Sequence, residues 1–377
     1  MELYITNVDY KRKDPVFWIE VQTNSIKYKH RRIPRYYSEL EKLHDYFVST
    51  LDDVLIPALP ACPLARFDKR TGELLSRQWW LYIQNEQQKS TTTQSNENAL
   101  EYKIQLWLNR ITQNERVQMS EGLREFVESE VGFRPNMLTV KSSFLARTRS
   151  GQVMIHATES DMGPEFRQCL KELNLLHHNL KQVLTQVNKV EQEQRGMTRT
   201  YLNLSSAWVS YGGLERSSNL FILYKSIAKG YQQLYDLSKF QELAMNDTLE
   251  DEIIYQIKNC ESTQNAMQRR LNTLSIYLSS QKYTESSLRS MERLKSSIHI
   301  DRDQVTEAIA ILEDARINEN NCKIRFERIN TNLQNDIEAY YKPNSTQDLL
   351  KSIKIYAKSQ LYLEKKKLLV LENMIKS

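Results

Sequence analysis

The spacing of eight prolines constrains this 377-residue chain more than any other feature. Pro15, Pro34, Pro57, Pro60, Pro63 and Pro135 all fall within the first 135 residues, whereas Pro164 and Pro343 enclose 178 residues without one. A proline costs about 3 kcal/mol in a helix interior. A long proline-free stretch rich in Leu, Gln, Glu, Lys and Ser therefore predicts helix, and the chain divides into a mixed N-terminal module and a long helical one. With 40% hydrophobic and 9% aromatic residues, it has enough apolar material for sizeable cores. No window approaches 18 uncharged apolar residues, which argues against a membrane-spanning helix. Met1-Glu2-Leu3-Tyr4 lacks the basic-then-apolar start of a secretory signal. Cys62, Cys169, Cys260 and Cys322 are too dispersed for a CxxC pair and read as cytosolic, mostly buried thiols.

In the N-terminal module, Glu2–Val8 and Val16–Thr23 alternate apolar and polar residues and predict strands, joined by a turn at Lys11–Pro15. Ser25–Tyr36 supplies a third antiparallel strand. Ser38–Phe47 has helical spacing through Leu40, Leu43 and Phe47, with Ser38 as the expected N-cap. Leu55–Pro63, with prolines three apart, reads as polyproline-like. Gln84–Asn98 is low in complexity and predicts a mobile loop; short helices follow around Leu100–Ile111 and Ser120–Glu128. Residues 11–37 hold eight basic residues against two acids, although residues 1–140 carry 19 of each sign. A local basic patch on a neutral domain suits a local anionic ligand.

Arg35-Tyr36-Tyr37-Ser38-Glu39-Leu40 entering a helix, Pro57-Ala58-Leu59-Pro60 after it, and Leu106-Trp107-Leu108-Asn109-Arg110-Ile111 resemble a phox-homology (PX) domain over about 135 residues. The resemblance implies phosphoinositide binding, most often of phosphatidylinositol 3-phosphate. In the family's Arg-Arg-Tyr pattern, the second Arg holds the 3-phosphate and the Tyr stacks on the inositol. Tyr37 fits the stacking position, but Tyr36 stands in place of the phosphate-binding Arg, and Arg35 is one position early. A phenol offers one neutral hydrogen bond and does not replace a guanidinium. The family's later basic residue corresponds to Arg66, Lys69 or Arg70. Its further Arg falls on Leu100, with Lys103 nearby. The implied site is thus a weak one built from Arg35, Tyr37, Arg66, Lys69, Arg70 and Lys103.

In the helical module, Phe166, Leu170, Leu173, Leu176, Leu180, Leu184, Val187 and Val190 recur three or four apart and form one apolar face from Pro164 onward. A kink is expected at Gly212-Gly213, and the pattern resumes through Leu234. A second helix is predicted from Asp247, spaced from Glu250 as in a capping box, to about Ile298. A third is predicted from Asp301, interrupted at Pro343 and reopened by Ser345 and Asp348.

Following a PX domain, such helices resemble a BAR domain, and PX plus BAR is the architecture of the sorting nexins, most of all the retromer-linked ones of fungi. The implied fold is an α+β PX domain (three-stranded antiparallel sheet plus helices) over 1–138, a linker over 139–163, and an all-α BAR domain of three long antiparallel helices over 164–377. The whole +5 net charge lies beyond residue 140. The expected membrane-facing surface comprises Arg289, Arg293, Lys295 and Arg302 at the tip between the second and third helices, with Lys323, Arg325 and Arg328 beyond it. The resemblance implies a peripheral endosomal protein of the cytoplasmic side and three partners. These are phosphoinositide-containing membrane, a second PX–BAR sorting nexin as heterodimer partner, and the retromer cargo-recognition trimer.

No HExxH, P-loop, GxGxxG or GxSxG pattern is present, and the six histidines have no metal-ligand spacing. The sequence therefore predicts no catalytic residues, metal, cofactor or nucleic-acid partner. A cytoskeletal or tethering scaffold that never bends a membrane is the alternative reading of the same helices.

Overall fold

The computed structural model describes residues 1–22, 31–68, 72–77, 79, 98–135, 157–158, 161–296 and 302–376, the side chain of Arg302 excepted. The predicted loop at Gln84–Asn98 lies outside them up to position 97, as do Lys69 and Arg70.

Three antiparallel strands, β1 (Glu2–Asp9), β2 (Val16–Gln22) and β3 (Arg31–Tyr36), form a sheet in the order β1-β2-β3. Pairing of Phe17 with Arg35 and of Ile19 with Ile33 places these side chains on the inner face with Leu3 and Val21. Trp18, Glu20, Arg32, Pro34 and Tyr36 share the outer one, as the period-two pleat requires. Against the inner face lie α1 (Tyr37–Thr50), α2 (Tyr102–Gln113) and α4 (Glu121–Glu128), with the short α3 (Glu115–Gln118) between the last two. Phe17, Leu40, Leu43, Phe47, Trp107 and Phe126 are fully buried there. The Trp107 indole donates to Pro57 O at 3.1 Å, so this core also holds the proline-rich segment.

The long helices are α5 (Pro164–Gly212), α6 (Ser218–Met245), α7 (Asp251–Lys295), α8 (Arg302–Asp336) and α9 (Lys342–Lys376). Three sequence expectations are corrected here. Gly212-Gly213 ends a helix where a kink was expected, and α6 starts afresh at Ser218. The second long helix begins at Ser218, not Asp247: α6 continues into α7 through a π turn at Asn246–Glu250. Nor does Pro343 interrupt the third. A proline lacks the N–H of the helical ladder, and its ring collides with the carbonyl four residues back. The π turn at Ile337–Tyr341, closed by Lys342 N–H on Ile337 O, widens the backbone immediately before Pro343, and α9 continues from α8.

The molecule divides into two compact units. Unit 1 holds residues 1–62, 103–176 and 259–343; unit 2 holds 63–102, 177–258 and 344–377. Polar pairs set an antiparallel register in each. In unit 1, α7 runs against α8 through Arg270–Asn330 and Thr284–Ala315, and against the start of α5 through Gln264–Asn174. In unit 2, α6 runs against α5 through Arg195–Glu242 and Ser205–Ala228, and against α9 through Gln241–Gln360 and Ser352–Thr248.

Candidate lipid site, helical surfaces and family relationships

The β3–α1 junction is where the sequence places the headgroup site, and its consecutive residues point apart. Arg35 faces the core and is 1% exposed. Its guanidinium donates to Phe126 O through Nε (3.0 Å) and Nη2 (2.6 Å), to Ser129 O through Nη2 and to Pro34 O through Nη1 (2.9 Å). Burial pushes its pKa below the usual arginine value. Arg35 is therefore corrected from a lipid ligand to a staple that satisfies carbonyls at the end of α4. Tyr36 lies on the outer face, where its hydroxyl accepts from Arg12 Nη1 at 3.1 Å. Tyr37 opens α1, and its half-buried hydroxyl donates to Pro60 O at 2.8 Å; burial raises its pKa. Glu39, rather than the expected Ser38, serves the N-terminus of α1, accepting from Tyr36 N (2.7 Å) and Phe133 N (2.5 Å). Ser38 donates through N and Oγ to Asp14.

The remaining expected ligands are dispersed. In unit 2, Arg66 forms a two-pronged ion pair with Asp247 in the π turn, its Nη2 at 3.0 Å from Oδ1. Burial raises the Asp247 pKa, and Arg66 opposes the rise. Arg66 is thus committed within the helical module rather than presented to a headgroup. Lys103 is half-buried on the first turn of α2. Lys69 and Arg70 lie outside the described residues.

Of the expected membrane-facing residues, Arg289, Arg293 and Lys295 are exposed near the end of α7, Arg289 with Glu285 at 3.7 Å. Arg302 begins α8, and Lys323 is exposed with Glu327 at 4.0 Å. Arg325 and Arg328 are corrected, because both bind the segment that follows α1. Arg325 donates to Asp52 at 2.6 and 2.9 Å, and Arg328 reaches Asp52 at 3.1 Å and Asp53 at 3.6 Å.

These two arginines belong to a clamp that the sequence reading missed. Asn332 donates to Asp53 at 2.8 Å, and Asp336 accepts from Leu55 N at 2.9 Å and from Arg116. Asn259 accepts from Ala58 N at 2.9 Å, and Ser262 donates to Ile56 O at 2.7 Å. Leu55 packs on Ala266, Ile329 and Leu333. Burial raises the Asp336 pKa, and its two hydrogen bonds and Arg116 oppose that. Within unit 1, the chain from Asp52 to Ala58 is thereby held by α7 and α8. The only sequence trace is the Asp52-Asp53 pair and the i, i+3 spacing of Arg325 and Arg328, which register as solvated charge until the fold is known.

In unit 2, Val183, Val187, Val190, Met245, Leu249 and Tyr356 line a groove of about 740 Å³. Val183 and Val190 are 47% and 50% exposed, and Val209, Leu361 and Leu368 are more so. Helix faces this apolar are the material of an association surface. Among the described residues, no three His, Cys, Asp or Glu side chains are grouped to hold a metal ion, and no helix is long and apolar enough to cross a membrane.

Residues 142–377 match the family model described as Vps5 C terminal like, and residues 23–130 match the PX domain model. The chain is 24% identical to vacuolar protein sorting-associated protein 17 of Schizosaccharomyces pombe over 368 residues, which are 96% of this chain and 62% of that protein. It is 20% identical to the protein of the same name in Saccharomyces cerevisiae over 376 residues, 97% of this chain and 61% of that one. The chain thus spans about three fifths of the length of these relatives. Among solved structures, the cryo-EM structure of the SNX-BAR Mvp1 tetramer is similar in fold, with a TM-score of 0.56 at 11% identity and both chains covered in full.

Proposed function

The chain belongs to the Vps5 C-terminal-like family, as a PX–BAR sorting nexin, and on that premise we propose that it is a non-enzymatic coat component of endosome-to-Golgi transport. Two curated relatives named for vacuolar protein sorting support this reading. The PX domain occupies 1–138, a linker 139–163 and the BAR domain 164–377. The BAR domain pairs with a second PX–BAR sorting nexin, the pair binds curved phosphoinositide-containing endosomal membrane from the cytoplasmic side, and the retromer cargo-recognition trimer joins it there.

The observation that carries the proposal is the apolar face of α5 and α9 in unit 2, left exposed along helices far longer than a small globular domain needs. A partner chain would cover it. Membrane attachment then rests on several weak contacts, made by Tyr37 and basic residues of the PX domain and by Arg289, Arg293, Lys295, Arg302 and Lys323 of the helical module. Linked weak sites reach an affinity that none has alone. A lysine or arginine near an anionic surface contributes about 1 kcal/mol. With Arg35 and Arg66 committed internally, the proposed PX contribution falls to Tyr37, Lys69, Arg70 and Lys103.

Purification of the native complex with identification of its chains tests the pairing, and co-sedimentation with vesicles containing phosphatidylinositol 3-phosphate tests the attachment. A second PX–BAR chain and vesicle binding by the pair are expected. Recovery only as a homodimer would refute the heterodimer, and absence of vesicle binding by any recovered assembly would favour the scaffold reading.

A further inference from the structure

On the outer side of the β3–α1 junction, away from the Tyr37–Pro60 contact, lies a cavity of about 520 Å³. Val16, Trp18, Pro34 and Tyr36 contribute its apolar surface, and Val131, 88% exposed, stands on its rim. Four acids and four bases line it, but they are not equally available. Asp9 accepts from Lys11 N at 3.0 Å, Asp14 holds Ser38, Glu39 accepts from two backbone N–H groups, and Glu130 pairs with Arg31 at 3.3 Å. Arg35 is committed to three carbonyls, and Arg12 is shared between Tyr36 and Asp9. Lys42 and Arg134 are exposed, and among the described residues neither has a carboxylate or hydrogen-bond partner. The local carboxylates are already held by protein donors, while two cations beside an apolar floor are not.

We propose that this cavity receives an acidic, apolar segment of a partner protein, its carboxylates meeting Lys42 and Arg134 and an aliphatic or aromatic side chain resting against Val16, Trp18 and Pro34. Charge complementarity selects this occupant. A headgroup with several phosphates would bring its dense charge among Asp9, Asp14, Glu39 and Glu130, and the guanidinium nearest the junction, Arg35, has no donor turned to it. A peptide carboxylate carries one charge, takes a single cation at modest desolvation, and arrives with apolar neighbours that the floor can bury. Neither Tyr37 nor Pro60 lines the cavity, so it uses other side chains than the proposed lipid contact at Tyr37.

The test uses the full chain and an array of fluorescein-labelled octapeptides that alternate Glu with Leu or Phe, with matched peptides carrying Lys for Glu, read by anisotropy. Acidic members are expected to bind and lysine members not to. The double variant Lys42→Glu/Arg134→Glu, both positions exposed, is expected to bind at least tenfold more weakly, and Val131→Ser a few-fold more weakly, with unchanged circular dichroism. Vesicles containing phosphatidylinositol 3-phosphate are expected not to displace the peptide. The proposal is overturned if no acidic member binds, if charge reversal leaves binding unchanged, or if the vesicles compete at this cavity.

Discussion

The PX domain and the helices of unit 2 treat their apolar side chains in opposite ways. In the PX domain, Leu3, Phe17, Ile19, Leu40, Phe47, Trp107 and Phe126 are each 1% exposed or less, around a three-stranded sheet roofed by helices. In unit 2, Val183, Val190, Met197, Val209, Leu361 and Leu368 are each at least 47% exposed. A domain with a closed core can be stable alone, whereas an open apolar face lowers its free energy only when something covers it. The contrast separates residues that build this molecule from residues that assemble it, and substitutions can test the division.

The largest effect belongs to the closed core. Trp107→Ala removes a fully buried indole and its hydrogen bond to Pro57, and should destabilise the PX domain by about 3–5 kcal/mol, measured by urea unfolding of the full chain followed by circular dichroism. A loss below about 1 kcal/mol would mean that this interior is not close-packed. Arg35→Leu comes next. It orphans carbonyls at Phe126 and Ser129 that the guanidinium now satisfies, at a cost of about 2–3 kcal/mol. Arg35→Lys should restore little, because one ammonium lacks the forked geometry that spans both carbonyls. Vesicle affinity per folded molecule should stay at the wild-type value in both variants. A fall in affinity with unchanged stability would return Arg35 to the lipid site.

A smaller effect is expected at the clamp. Asp336→Asn keeps one acceptor for Leu55 N but removes the charge opposite Arg116, which should cost about 1–2 kcal/mol. The readout is faster proteolysis between Asp52 and Ala58 in native buffer. Equal cleavage of wild type and variant would show that the clamp does not hold this segment.

Patterns carried by local physics were legible in the sequence. Alternation in Val16–Gln22 announced a strand, and the apolar repeat from Phe166 to Val190 announced α5. Features that depend on distant contacts were not. Asp247 and Glu250 have the spacing of a helix start, yet Arg66 from far earlier in the chain holds Asp247 inside a continuous helix. Pro343 reads as a break because the rule concerns α-helical geometry, and no residue pattern marks Ile337–Tyr341 as a π turn that escapes the rule. Arg35 illustrates the limit at the site. Strand alternation separates it from Tyr36, but which face lies inward is settled by packing against α4. Of the helical basic residues, Arg325 and Arg328 were misassigned because their partners, Asp52 and Asp53, are more than 270 positions away.

The smallest change in stability should accompany the largest change in assembly. Val183 and Val190 lie two helical turns apart on α5, both about half exposed and both lining the groove with Met245 and Tyr356. Replacing both with Glu removes little buried area from the single chain, so its unfolding free energy should change by no more than about 0.5 kcal/mol per site. In the assembly, two carboxylates would sit within a covered apolar seam, where an unpaired charge is strongly disfavoured. Sedimentation velocity of the variant with the PX–BAR chain that copurifies with the wild type should therefore show separate monomers. If the assembled mass persists, the α5 face is not the surface that a partner covers. If the single chain unfolds instead, Val183 and Val190 belong to the class of Trp107, and the division between building and assembling residues must be redrawn through unit 2.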